Sequence, residues 1–122
     1  MSDADIPVSG QVPFARLLAT VGGDEETLRD IAATFVEEGA QLALDLRYAA
    51  FQHDLGFVAR ICHTIKGNAR DFEDEALARQ AADLEILARM PSAAAVEQRF
   101  AEVETALELL ISRVKAFLAK EN

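Results

Sequence analysis

From Phe14 to Phe117 the apolar residues recur in steps of three and four, the spacing of one helix face. The last series is the most regular. Val96, Phe100, Val103, Leu107, Leu110, Val114 and Phe117 alternate steps of four and three, a seam that needs partner helices along one side. Leu77, Ala81, Leu84 and Leu87 repeat the pattern over a shorter stretch, and Val58, Ile61, Ile65 and Phe72 form another stripe. Leu28, Ile31, Phe35, Leu42, Leu46 and Ala49 line one side of a long helix expected to reach about Phe51. Gly39 falls inside it at a propensity cost of about 1 kcal/mol, so that helix is either continuous or bent and broken there.

The polar residues between these stripes read as starts and stops. Pro13 suits the first turn of a short helix through Phe14, Leu17, Leu18 and Val21, which Gly22-Gly23 ends. Asp24 is placed to cap the long helix, with Glu25 and Glu26 in its first turn. Gln52-His53 makes a turn, and Asp54 is an N-cap for the helix that follows. The apolar phase shifts around Asp71 to Asp74, which predicts a junction, and Pro91-Ser92 predicts another break. Short connections make consecutive helices antiparallel neighbours. The predicted architecture is all-α: an antiparallel up-down four-helix bundle over 13–122, with a short additional N-terminal helix. Residues 1–12 are polar and aperiodic, and are expected to be a flexible segment.

Composition narrows the function classes. The 122 residues suffice for one core, and the six glycines and three prolines are too few to punctuate a many-stranded β protein. A net charge of −9 argues against nucleic acid or an anionic membrane as the main partner. One cysteine forms no internal disulfide, and the N-terminus lacks the basic and apolar regions of a signal peptide. The expectation is a cytoplasmic, free-standing monomer with no membrane span.

The candidate chemistry lies on the helix after Asp54. Ile61 and Ile65 stand two residues either side of His63, so at about 100° per residue they face nearly opposite to it. Leu55, Cys62 and Ala69 fall on the margin of the apolar stripe, while the other face carries Gly56, Ala59, Arg60, His63, Lys66, Gly67 and Arg70. Gly67, four residues after His63, is its neighbour on the helix surface, and a missing side chain there lets another protein or a phosphoryl group approach the imidazole. Leu55 to Arg70 contains no Asp or Glu, where average usage in this chain would place roughly three. A phosphoryl group at His63 would find positive charge in Lys66 and in Arg70 or Arg60. The bland reading, a solvated basic edge, is strongest for Arg60.

Other candidates carry less. His53-Asp54 is a turn and a cap; a metal site would need histidines that this chain lacks. Cys62 points about 100° away from its neighbour His63, so the two do not form a dyad. Glu37-Glu38 and Glu73-Asp74-Glu75 read as solvated faces or helix starts.

His63-Thr64-Ile65-Lys66-Gly67 resembles the His-Thr-Leu-Lys-Gly core of histidine-containing phosphotransfer (HPt) domains. The resemblance extends to Gly22-Gly23-Asp24, to Asp54 and to Ala82-Asp83-Leu84-Glu85, and spans roughly residues 14 to 118. It implies that His63 accepts a phosphoryl group on its imidazole, that Lys66 lies near that group, and that Gly67 gives clearance. The implied partners are response-regulator receiver domains and a hybrid histidine kinase, with a receiver contributing Mg²⁺ and most catalytic groups. No cofactor or metal is expected on this chain, which would be a phosphocarrier, not an enzyme. Docking is expected over Gly56, Ala59, Arg60 and adjoining apolar residues of the preceding helix. Four positions depart from the family pattern: Asn68 stands where Ser is frequent, Glu73 where Gly is common, and Arg70-Asp71 replaces a smaller pair. They bear on partner choice and on the helix junction. The rival expectations are a non-transferring helical adaptor using the same face and, ranked below it, a small enzyme.

Overall fold

The computed structural model describes residues 13–90 and 93–120. In order these form α1 (Ala15–Thr20), α2 (Glu25–Phe51), α3 (Leu55–Asp71), α4 (Glu75–Ala88) and α5 (Ala93–Ala119). Helix α2 packs on α3 and α5, and α4 packs on α3 and α5, which closes an antiparallel ring of four with α1 added at one end. The fold is the all-α bundle that the periodicity predicts. The flexible segment expected over 1–12 and the break at Pro91-Ser92 lie outside the described residues.

The connections work as the polar residues imply. The Asp24 carboxylate accepts hydrogen bonds from the Glu26 N–H and the Thr27 hydroxyl, Asp54 from the Phe57 N–H, and Asp74 from the Leu77 N–H. Each satisfies a backbone donor that the first helical turn leaves open, worth about 1 kcal/mol. Asp74 also takes Arg113 of α5 at 2.7 Å, and Arg47 of α2 pairs with Glu104 of α5. Helix α1 starts later than expected: Pro13 and Phe14 belong to the turn before it, Phe14 with left-handed backbone (φ 60°).

Leu28, Leu46, Ile65, Leu77, Leu84, Leu107 and Leu110 are fully buried, and no polar or charged residue is buried among those described. The α5 seam is buried at Val96, Val103, Leu107, Leu110 and Val114, and half-buried at Phe100 and Phe117. Helix α2 runs unbroken through Gly39, the continuous form of the two expected. A Cβ at Gly39 would stand 3.1 Å from Ile111 Cγ1 and 3.3 Å from Phe35 Cζ. This glycine serves the close approach of α5.

The α1 end is closed by aromatic packing. Phe14 sits edge-on to Phe72 and Phe117 at 5.0 and 5.4 Å, and Phe35 lies 4.9 Å from Phe72. Next to them Glu73 turns the chain from α3 into α4 in the left-handed region (φ 60°), which costs a side-chain-bearing residue about 1–2 kcal/mol and explains why glycine suits such a junction. Glu73 offsets this locally. Its carboxylate accepts the Arg16 N–H of α1 at 2.8 Å, and the Arg16 guanidinium donates to the Arg70 carbonyl at 2.9 Å.

Candidate functional site

Helix α3 buries Val58, Ile61, Ile65 and Ala69, and so turns His63 outward; the His63 side chain is 67% exposed. One turn on, a Cβ at Gly67 would meet nothing within 4 Å. The imidazole therefore stands beside open space, as the glycine spacing predicts.

Helix α4 completes the surroundings. It runs back along α3 from the turn at Glu73, so residues about equally far from that turn come level. Glu85 thereby reaches His63. Its Oε2 lies 3.3 Å from His63 Nδ1, its Oε1 accepts from Lys66 Nζ at 3.2 Å, and Oε2 also accepts from Arg89 Nη2 at 3.1 Å. Burial pushes the Glu85 carboxyl up, but the hydrogen bonds from Arg89 and Lys66 and the nearby charges of Lys66 and His63 outweigh it and hold the pKa below the usual glutamate value. Glu85 is thus an anion held, among the described residues, by Lys66, Arg89 and the His63 imidazole.

Of the residues expected on the open face, Gly56, Arg60, His63, Gly67 and Arg70 are exposed. Arg60 lies over the Phe57 ring, 5.4 Å from its centroid. Lys66 is drawn inward, its side chain 19% exposed against Glu85. Arg70, seven residues from His63, stands about 10 Å along the helix from it. Ala59 does not belong to this face: it is fully buried. The reason is the α3–α4 contact, the most extensive in the bundle. Ala59, Cys62, Ala69, Ala78, Ala81 and Ala88 are buried, and such small side chains let two helix backbones approach and widen the covered arc. Docking through the Ala59 side chain is excluded.

Cys62 is buried completely, not marginal, and burial together with the Glu85 charge pushes its thiol up to about 12. It stays protonated and is no nucleophile near neutral pH. His53 occupies the turn before α3 with φ 56°. Among the described residues no His, Cys, Asp or Glu group is arranged to hold a metal, and no helix is long and apolar enough to cross a membrane. Large exposed apolar side chains lie on both flanking helices and just beyond: Leu44, Tyr48 and Phe51 on α2, Ile86 on α4, and Met90 in the turn after it.

Reasoning from the sequence gave Glu85 no role and passed over Arg89. Both were within reach: they are an i, i+4 pair on the helix that folds back over His63. Residues 30–117 match the family model described as the Hpt domain. No curated protein and no solved structure matches the chain.

Proposed function

We propose, from the premise that this chain belongs to the Hpt domain family, that His63 is the residue through which it relays phosphoryl groups. Hpt domains carry phosphoryl groups in phosphorelays, between histidine kinases and response regulators, and do not themselves catalyse a turnover. The observation that supports His63 is its exposed ring, with Nδ1 against Glu85 and an open gap beside it at Gly67.

A carboxylate beside Nδ1 favours the proton on that nitrogen and leaves the lone pair on Nε2, which is directed away from Glu85. Nε2 attacks the phosphorus of an aspartyl phosphate on a docked receiver, in line with the departing oxygen. The N–P bond forms as the P–O bond breaks, and the aspartate leaves as carboxylate. Since Nδ1 keeps its proton, the ring becomes cationic, and Glu85 stabilises that charge where it develops. The reverse step hands the group to an aspartate of the same or another receiver. His63 sits in mid-helix, so side chains supply the positive charge for the phosphoryl oxygens, Lys66 first among those expected from the sequence. The receiver docks over Gly56, Arg60 and Gly67, with exposed α2 residues such as Tyr48 as the apolar margin.

The test is to mix the protein with a phosphorylated receiver and follow label onto the chain. Acid-labile, base-stable label that disappears in His63→Gln is expected. Label that persists in His63→Gln rejects the assignment. Binding of receivers without any label makes the chain an adaptor.

A further inference from the structure

Two nitrogens share one oxygen of Glu85. Oε2 lies 3.3 Å from His63 Nδ1 and accepts the 3.1 Å hydrogen bond from Arg89 Nη2, which puts the guanidinium within two hydrogen-bond lengths of the ring. The Arg89 side chain is 59% exposed, whereas that of Lys66 is 19% exposed and held on the other oxygen, Oε1. Arg70 is two helical turns from His63. Arg89, the C-cap residue of α4 and outside the motif that carries the histidine, is therefore an exposed cation held on the same carboxylate oxygen that faces the imidazole.

We propose that Arg89 is a phosphoryl-binding residue, held in reserve by Glu85 and transferred to the phosphoryl oxygens once His63 is phosphorylated. The proposal rests on the role assigned to His63 above. With the ring neutral, one carboxylate faces two full cations, so the cluster holds a surplus positive charge. A phosphoryl group on Nε2 brings up to two negative charges and three acceptor oxygens, and a guanidinium can bind two of them side by side. Glu85 offers Arg89 only one oxygen, already shared with the ring. An exposed i, i+4 pair is weak and easily exchanged. Glu85 is not stranded by the exchange, because Lys66 remains on Oε1 and the phosphorylated ring, with its proton on Nδ1, is a cation beside Oε2. One carboxylate thus orients the nucleophile and stores a cation for the product.

The experiment phosphorylates the purified chain with phosphoramidate, a small donor that needs no receiver, and follows phosphohistidine by ³¹P NMR through a pH titration. Loss of an adjacent cation raises the pH at which the phosphoryl dianion takes up a proton. The expected result is a midpoint about half a unit higher in Arg89→Ala, partly restored in Arg89→Lys. Arg79→Ala, which removes an exposed cation elsewhere on α4, should leave the midpoint in place. A midpoint that moves in neither Ala variant, or equally in both, overturns the assignment of Arg89 while leaving His63 standing. A spectrum without phosphohistidine, or one retained in His63→Gln, removes the role of His63 and that of Arg89 with it.

Discussion

Replacing Gly67 with alanine sets stability against function at a single methyl group. The new Cβ would touch nothing within 4 Å, and the residue lies inside α3 with ordinary helical backbone. No clash therefore offsets the gain in helix propensity, about 1 kcal/mol, part of which acts through the lower entropy of the unfolded chain. For a domain of this size that gain raises Tm by about 3–5 °C. The same methyl stands one turn from His63, about 5–6 Å between Cβ atoms, in the space a docked receiver must enter. Displacing reacting groups by an ångström can cost up to about a hundredfold, so transfer from a phosphorylated receiver should fall at least about tenfold. Phosphorylation by phosphoramidate, too small to meet the methyl, should fall far less. Calorimetry and single-turnover transfer read the two effects on one variant. A fall in Tm would refute the claim that the space is open. A rise in Tm with full transfer would show that clearance is not why glycine is there.

Gly39→Ala should have the opposite sign. Its Cβ enters the contact with Ile111 and Phe35, and denaturant unfolding should show a loss of about 1 kcal/mol, part of it recovered in combination with Ile111→Val; a gain would mean that Ile111 has room to move. Glu73→Ala keeps the left-handed backbone and loses the bond to α1, whereas Glu73→Gly loses the bond but relieves the backbone, so the glycine variant should be more stable by about 1 kcal/mol. Equal stabilities would mean that the backbone at 73 costs nothing. Glu85 has a lowered pKa, so its contribution to stability is complete above the ordinary glutamate range, about pH 4.3, and is lost as pH falls through the lower folded-state value. The Tm gap between wild type and Glu85→Gln should therefore close on acidification, and a constant gap would disprove the ionic role of Glu85.

The helices and their caps were legible because each depends on neighbours in sequence. Asp24 and Asp54 bond donors two and three residues ahead, and the α5 seam follows from a period of 3.6. The outward direction of His63 was legible for the same reason, since the isoleucines on either side fix it. Ala59 failed because periodicity gives an angle but not the width of the buried arc, which depends on how closely α4 approaches. At Gly39 a continuous and a broken helix both stayed open, because the residue it makes room for, Ile111, is seventy-two residues away. Glu85 and Arg89 were hidden in the same way. Their role depends on the register between α3 and α4, and no local pattern states it.

That register is set at Phe72 to Asp74, a full bundle-half away from the imidazole. One residue inserted there would turn α4 by about 100° and slide it by about 1.5 Å, carrying Glu85 and Arg89 off the histidine without altering any residue beside it. The hairpin bend is thus the tuning peg of the instrument: evolution or an engineer can retune the ring's counter-charge from a place remote from the ring itself.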